Sequence, residues 1–406
     1  MMEYYSMLLP LALILLLSKT LAKGCVRLNL PSVVGLLLTG LLLSLIRYIP
    51  GQTILTDGVL EGLGFLAKIG VVLIMFETGI ETDLRQVRAV GVRAVIVTMA
   101  GVAVPMGLGF LVAVLFHGGF DGLTHEALVS CLFYGTILTA TSISVTITAL
   151  REMGRLQTKV GSIIVTAAVL DDIIGVVVLS FVIAMKDASV IVESPYAVIG
   201  RIALFFAIAL PLGILLNKLF DLLDKRFPHH RLIPIYSLAM CFLFAYASER
   251  FFGVADITGA FVAGLILSRN PDSKYIERKS DVISYMIFTP VFFANIGLTI
   301  TFSGLGGDML WFGCFFILAG IAGKVLGCGI AAKLCGCTGK DSLRIGLGMM
   351  ARAEVALVCA QKGVENGIIS SSIMPFILIL IILTSLLTPV ALRAAYRHEP
   401  PEKAAQ

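Results

Sequence analysis

Long, continuous apolar runs are the feature that most constrains how this chain can fold. Residues 373–392 carry no charged side chain, and residues 7–21 carry only Lys19. A transmembrane helix needs about 20 mostly apolar residues, whereas a transmembrane β-strand is shorter and alternates apolar with polar residues. The chain is 58% hydrophobic and 14% charged, while soluble domains average roughly 45–50% and about 25%. The sequence therefore predicts an all-α polytopic membrane protein.

About 13 segments are predicted to be membrane-spanning helices. The division between the eighth and ninth segments rests on Gly253, which follows two phenylalanines; the alternative is one unbroken helix over 232–268. The first segment lacks the positively charged start and the small-residue cleavage site of a signal peptide, so we interpret it as a spanning helix. The segments are residues 4–22, 32–47, 59–79, 90–116, 126–150, 158–185, 196–218, 232–250, 254–268, 281–300, 309–334, 342–363 and 373–393.

Lysine and arginine are distributed unevenly between the two ends of these segments. Counting charges at the segment ends with the adjoining loop, the loops after odd-numbered segments and the C-terminal tail hold 22 of them, the loops after even-numbered segments hold 4, and 5 lie within segments. Cytoplasmic loops carry the excess of positive charge in membrane proteins. We therefore expect a multi-pass protein of the inner (cytoplasmic) membrane, with its N-terminus outside and its C-terminus in the cytoplasm. Because the net charge of +5 lies in short loops, it does not indicate a nucleic-acid partner.

Two adjacent acids, Asp171 and Asp172, lie in the middle of the sixth segment. An ionisable side chain at that depth is costly and by default marks a functional site. Neighbouring helix positions point about 100° apart, so both carboxyls can face the bundle interior. Two nearby buried carboxylates do not both ionise easily, so one of them can hold either a proton or a cation. That competition is the simplest form of antiport; the structural alternative is a pair satisfied by internal ion pairs.

Lys324 is the second charge placed deep within a segment. A buried lysine needs a carboxylate to keep its proton, and one of the two aspartates is the natural partner. The alternative is that Lys324 snorkels to the inner surface of the membrane.

Two other segments contain features typical of a broken helix. Thr139-Ala-Thr-Ser142 groups hydroxyls that compete for backbone hydrogen bonds, and transporters use such breaks to coordinate ions; the alternative role is helix packing. In the twelfth segment, glycines at 346 and 348 precede Arg352 and Glu354, which indicates a second break. We interpret Glu77, Arg352 and Glu354 as a supporting ion-pair cluster in which Glu77 is a candidate partner of Arg352; the alternative is that these residues handle the transported ion directly.

These features occur together in a known family. The chain resembles the bacterial monovalent cation:proton antiporter-2 family over nearly its whole length. Besides Thr139-Ala-Thr-Ser142, the matching stretches are Pro31-Ser-Val-Val-Gly35, Leu73-Ile-Met-Phe-Glu-Thr-Gly-Ile-Glu81, Arg151-Glu-Met-Gly154, Val160-Gly-Ser162, Leu170-Asp-Asp172, Gly259-Ala-Phe-Val-Ala-Gly264, Pro290-Val-Phe-Phe293 and Gly323-Lys-Val-Leu-Gly-Cys-Gly329. One departure is Arg352-Ala-Glu354, where the family pattern is Arg-Gly-Glu.

The resemblance implies roles for the site residues. Members with an Asp-Asp pair and a buried lysine are NapA-type electrogenic Na+/H+ antiporters, in which the second acid carries the ion. This implies Na+ or Li+ at Asp172, a salt bridge between Asp171 and Lys324, and the broken helix at 139–142. In the resulting hypothesis Asp172 exchanges a proton for sodium while Asp171 releases a second proton as its contact with Lys324 loosens. Two protons per sodium would move one net charge, and the physiological role would be pH homeostasis.

The resemblance also implies an architecture. Family members are homodimers that combine inverted repeats, two crossing broken helices, a moving core and a scaffold. We expect one transmembrane domain over 1–406, with core helices at roughly 59–185 and 281–393 and scaffold helices at roughly 4–47 and 196–268. We expect no soluble domain, which separates the chain from potassium-efflux relatives that carry a nucleotide-binding domain.

Several other functions fit the sequence less well. An antiporter for K+, or an electroneutral one, is the nearest alternative, although electroneutral relatives tend to carry Asn where this chain has Asp171. An organic-solute symporter would need a wider polar cavity, and a ligand-responsive channel would need a conducting pore. No nucleophile–base constellation or cofactor motif predicts an enzyme. Cys335-Gly-Cys337 lacks a second His or Cys motif that would predict a metal site.

Overall fold

The protein is all-helical over the residues that the computed structural model describes, which are 4–27, 32–82, 92–120, 123–156, 158–187, 195–226, 232–299 and 306–397. In these ranges no residue lies in a β-strand. In chain order the α-helices are α1 (Leu8–Arg27), α2 (Ser32–Ser44), α3 (Asp57–Glu81), α4 (Val92–Phe116), α5 (His125–Ile137), α6 (Ile143–Glu152), α7 (Lys159–Asp187), α8 (Pro195–Arg226), α9 (Leu232–Phe252), α10 (Asp256–Leu267), α11 (Ser273–Ile283), α12 (Thr289–Thr299), α13 (Gly307–Leu334), α14 (Gly339–Gly348), α15 (Glu354–Glu365) and α16 (Met374–Tyr396).

The all-α membrane fold is therefore confirmed. Every predicted segment overlaps at least one helix. Among the described residues, 8 helices are long and apolar enough to cross a membrane. Ser32–Arg47 and Asp256–Leu267 are apolar but shorter. The number of crossings stays a prediction.

Packing divides the chain into two compact units. Unit 1 consists of Met1–Val26, Ser32–Asp83 and Val190–Thr299, and unit 2 consists of Arg27–Pro31, Leu84–Ser189 and Ile300–Gln406. Helix α3 and residues 281–299 of the predicted tenth segment, which we expected in the transport core, belong to unit 1. Hydropathy identifies an apolar helix but does not say which neighbours cover it.

Close backbone contacts join helices of unit 1. A Cβ placed on Gly264 of α10 would lie 3.0 Å from the Cα of Gly79 on α3. Likewise, a Cβ on Gly297 of α12 would lie 2.9 Å from the Cα of Gly40 on α2. Lipid tails are as apolar as leucine, so van der Waals packing at small residues drives association between membrane helices. Glycine at these positions allows two backbones to touch.

Gly253 separates α9 from α10, as the sequence predicts. α9 ends at Phe252 and α10 begins at Asp256. Between them Gly253 has φ = +60°, a left-handed conformation that glycine adopts without steric cost. The N–H of Val254 then donates to the Ser248 carbonyl at 2.9 Å, which satisfies a carbonyl in the last turn of α9.

The charged stretch between the ninth and tenth predicted segments differs from the sequence prediction. We expected a loop over 269–280, but α11 covers Ser273–Ile283 and continues through a π-helical turn at Ser284–Phe288 into α12. Ile276 and Ser280 are buried on one face of α11. This amphipathic helix was not predicted because it contains many charged residues. A 20-residue hydropathy window averages its single apolar face with its charged face.

In unit 2, α4 and α13 pack closely through two glycines of α13. A Cβ on Gly323 would lie 2.8 Å from Pro105 Cα, and one on Gly327 would lie 2.7 Å from the Ala100 carbonyl oxygen. Spaced four residues apart, Gly323 and Gly327 form the small-xxx-small pattern that brings membrane helices together. This contact holds the α13 turn that carries Lys324 inside unit 2.

Candidate functional site

The first element of the site is an interruption between α5 and α6. α5 ends at Ile137 and α6 begins at Ile143, so the predicted 126–150 segment is two helices. The Thr139 hydroxyl donates to the Thr136 carbonyl at 2.8 Å, which is the local side-chain bonding that competes with a continuous helix. Thr139, Ala140, Thr141 and Ser142 are all buried.

The second element is an interruption between α14, which ends at Gly348, and α15, which begins at Glu354. Helix α16 supports this break from the side. The Arg352 N–H donates to the Thr384 hydroxyl at 3.2 Å, and the Ser385 hydroxyl donates to the Arg352 carbonyl at 3.1 Å. Side-chain hydroxyls thus replace part of the hydrogen bonding that the helix loses at its break.

Hydrogen bonds join the two interruptions. The Ser142 N–H donates to the Ala351 carbonyl at 2.8 Å, and the Thr146 hydroxyl donates to the Gly348 carbonyl at 2.7 Å. Backbone polar groups at membrane depth must find partners within the protein. Each break therefore supplies partners that the other break needs, and the pair forms one structure.

Arg352 links the two interruptions electrostatically. Its side chain is 0% exposed, and its guanidinium donates to the Ala140 carbonyl at 2.5 Å and to the Gly320 carbonyl at 2.9 Å. A helix C-terminus carries partial negative charge on its free carbonyls. The cation of Arg352 therefore joins the second interruption to the Ala140 carbonyl, three residues past the end of α5, and to the Gly320 carbonyl within α13.

Lys324 and Asp171 form a buried ion pair. The Lys324 Nζ lies 2.8 and 2.9 Å from the two oxygens of Asp171, and the two residues are 0% and 2% exposed. Burying one of these charges alone would cost several kcal/mol. The contact of Lys324 with both oxygens of Asp171 supplies each buried group with an oppositely charged partner.

Asp172 lies next to this pair on α7 and is half-buried. It lies within electrostatic range of Cys359 on α15. One helical turn further along α7, a Cβ on Gly175 would lie 3.9 Å from the Thr139 hydroxyl. The first interruption therefore packs against the stretch of α7 that follows the two acids.

One hydroxyl at the first interruption is available for a ligand. The Thr141 Oγ1 is buried and has no hydrogen-bond partner within the part of the chain that the structure describes. A buried polar oxygen without a partner costs about 1–3 kcal/mol, and alkali cations take oxygen ligands such as hydroxyls, carbonyls and carboxylates. The donor set of Asp172 and the first interruption is of the right chemical type for a small cation.

The remaining predicted residues fall elsewhere. Glu77 lies on α3 in unit 1, and its Oε1 is buried. Both carbonyl contacts of Arg352 lie within unit 2, so its pairing with Glu77 stays a prediction. Glu354 begins α15, but its side chain lies outside the described part of the structure, as do the side chains of Arg151 and Glu152.

Sequence reasoning missed the hydroxyls of α16 that support the second interruption. Thr384, Ser385 and Thr388 are buried and hydrogen-bonded. A detectable signal was present, because three hydroxyl residues within five positions are conspicuous in the apolar run 373–392. Sequence reasoning also missed Thr98. Its hydroxyl donates to the Ala167 carbonyl at 3.0 Å, and Ala167 lies one helical turn before Asp171.

Comparisons with known proteins identify the family to which this chain belongs. Residues 12–397 match the family described as sodium/hydrogen exchanger, transmembrane. The chain is 32% identical to the Na(+)/H(+)-K(+) antiporter GerN of Bacillus cereus over 388 residues, which is 95% of either protein. It is 30% identical to the high-affinity Na(+)/H(+) antiporter NhaS3 of Synechocystis, over 98% of this chain and 92% of NhaS3.

A solved structure shares the fold. The sodium proton antiporter MjNhaP1 from Methanocaldococcus jannaschii superimposes with a TM-score of 0.73, covers 98% of each chain and is 20% identical. At this identity the likeness establishes the architecture alone.

Proposed function

This chain belongs to the transmembrane sodium/hydrogen exchanger family, and on that premise we propose that it is a secondary active antiporter that exchanges Na+ or Li+ for H+ across the inner membrane. The observation that carries the proposal is the Lys324–Asp171 pair beside Asp172. It combines a buried ion pair, an adjacent acid and a broken helix whose Thr141 hydroxyl has no hydrogen-bond partner among the described residues. That combination lets protons and a cation compete for one set of groups.

In the proposed cycle Asp172 binds the transported ion. It loses its proton to the cytoplasm and accepts Na+ with help from oxygens of the 139–142 interruption. The arriving positive charge disfavours the neighbouring ammonium of Lys324 and loosens its contact with Asp171, so the pair releases a second proton. Alternating access then exposes the site outside, where protons displace the ion.

The proposed stoichiometry makes transport electrogenic. Two protons entering for one Na+ leaving move one net charge inward, and membrane potential adds about 2.3 kcal/mol per charge for each 100 mV. At 100 mV this corresponds to a roughly 50-fold sodium gradient without any pH difference. Within the family we assign the chain to the NapA-type, monovalent cation:proton antiporter-2 group, on the strength of its Asp-Asp pair and buried lysine.

We further propose that unit 2 is the moving core, because it contains both interruptions and both acids, and that unit 1 is the scaffold of a homodimer. Helix α3 and residues 281–299, assigned to the core from sequence, then belong to the scaffold. The proposed orientation keeps the N-terminus outside and the C-terminus in the cytoplasm, from the 22 to 4 distribution of Lys and Arg.

Reconstituted protein provides the test. Proteoliposomes with a trapped pH dye receive Na+, Li+ or K+ at clamped membrane potential. We expect Na+ and Li+ to move protons with wild type and not with Asp172→Asn. The matched control, Asp308→Asn, removes an exposed carboxylate of α13 and should retain exchange. Exchange that survives in Asp172→Asn would refute the assigned carrier.

Exchange of K+ is the second candidate, because the relative GerN is a Na(+)/H(+)-K(+) antiporter by name. If K+ alone moves protons with wild type, the site is a potassium site. If the rate does not respond to the clamped potential, exchange is electroneutral and the two-proton cycle is wrong.

A further inference from the structure

A small basic pocket lies in unit 2 at the start of α7. It has a volume of about 230 Å³, and its charged lining residues are Arg155, Lys159, Arg344 and Asp341. Among the described residues that line it, three cationic side chains and one carboxylate give a net formal charge of +2. The exchange cycle uses none of these residues.

Two guanidinium groups of this pocket share one aromatic ring. The guanidinium of Arg344 lies 4.0 Å from the ring centroid of Tyr396, and that of Arg155 lies 5.1 Å from the same centroid. Both arginines are largely buried, at 4% and 6% exposure. Like charges held side by side and removed from water repel each other. A bound anion would relieve that repulsion.

The surrounding contacts fix these groups in place. Arg344 donates to the Ala395 carbonyl at 3.0 Å and to Asp341 at 3.1 Å. The Thr158 hydroxyl donates to the Arg155 carbonyl at 2.7 Å and accepts from the N–H of Gly161 at 3.2 Å. The pocket is therefore pre-organised, which lowers the cost of binding.

The direction of α7 adds to the positive potential. Because α7 begins at Lys159, the positive end of its helix dipole faces the pocket, and helix N-termini bind anions. Arginine forks suit phosphate oxygens, which accept two parallel hydrogen bonds. In the proposed orientation this end of α7 faces the cytoplasm, where anionic lipid headgroups and soluble phosphates both occur.

We propose that this pocket binds a phosphate-bearing anion, held by Arg155, Lys159 and Arg344. The same helix carries Asp171 twelve residues further on, about 18 Å along its axis. The binding site is thus rigidly connected to the transport site but separate from it. The proposal does not depend on which cation is exchanged.

Binding to the purified full-length protein tests the proposal. Inorganic phosphate, dioctanoyl phosphatidylglycerol and, as the zwitterionic control, dioctanoyl phosphatidylcholine are titrated in detergent at a fixed sodium concentration by isothermal calorimetry and thermal shift. We expect phosphatidylglycerol, inorganic phosphate or both to bind, and phosphatidylcholine not to. Binding of both identifies the phosphate group itself as the ligand, whereas binding of phosphatidylglycerol alone identifies an anionic lipid headgroup.

Two variants decide whether binding occurs in this pocket. Lys159→Gln removes an exposed cation of the pocket and is expected to weaken binding about tenfold, from the loss of one charge-assisted hydrogen bond. Lys333→Gln, at the exposed end of α13, should bind like wild type. No binding by either anion, or equal weakening in both variants, would overturn the proposal. Because Lys159 is exposed, its replacement leaves the fold intact.

Discussion

The buried pair of Lys324 and Asp171 makes a quantitative prediction for a double-mutant cycle. Lys324→Met removes the ammonium and keeps a side chain of similar length, and Asp171→Asn removes the negative charge and keeps the shape. With the ammonium fully buried and 2.8 Å from its partner, removing one charge leaves the other uncompensated. Such changes cost about 3–5 kcal/mol, whereas removing both charges costs far less.

The two substitutions should therefore be strongly non-additive. We expect each single variant to lose about 3 kcal/mol or more of unfolding free energy, and the double variant to lose no more than one of them. The coupling energy is then about 3 kcal/mol or more, at the top of the range for residues in contact. The free energies are measured by circular dichroism during denaturation in mixed detergent micelles at pH 7.

A control cycle uses two exposed charges at opposite ends of α13. Lys333→Met and Asp308→Asn lie 25 residues apart, and distant sites add within about 0.5 kcal/mol. If the Lys324–Asp171 cycle were as additive as this control, the buried pair would not be a coupled unit, and the release of a proton from it would lose its basis.

Two other predictions concern packing and the interruptions. Arg352→Gln should abolish cation-driven proton movement in proteoliposomes and cost about 3 kcal/mol, because it removes one charge-assisted bond to the first interruption, at Ala140, and one to α13, at Gly320. The exposed-site control Lys333→Gln should change neither, and wild-type exchange in Arg352→Gln would contradict the link. Gly264→Ala should lower unfolding free energy by about 1–3 kcal/mol, because its Cβ would meet the backbone of α3. In the control Gly64→Ala, the new Cβ meets nothing within 4 Å, so this variant should raise the unfolding free energy by up to about 1 kcal/mol. If both variants changed the unfolding free energy equally, the close contact between Gly264 and α3 would be refuted.

Much of the site could be predicted from sequence because charges inside a membrane are costly. Asp171, Asp172 and Lys324 stand out in apolar segments, and a buried lysine requires a carboxylate. Both interruptions could be located from local features, namely the hydroxyls at 139–142 and the glycines before Arg352. In each case the residue type itself is unfavourable inside an apolar helix, and this was enough to identify the position.

Features that depend on tertiary packing could not be predicted in the same way. Nothing in the sequence indicates that Ser142 bonds to Ala351, because that contact joins residues more than 200 positions apart. The assignment of α3 to unit 1 depends on which apolar faces meet, and many faces are equally apolar. Helix α11 was not predicted because its few buried residues, spaced as in a helix, alternate with charged residues and do not form an apolar run.

Proton release on cation binding tests the central claim of competition at Asp172 most directly. Purified protein in weakly buffered detergent receives sodium chloride or, as a control, choline chloride, while a dye reports the pH. We predict that sodium, and not choline, releases protons from wild type and from Asp308→Asn, and that Asp172→Asn releases none. If Asp172→Asn released as many protons as wild type, the cation and the proton would not share that carboxylate, and the proposed mechanism would be wrong.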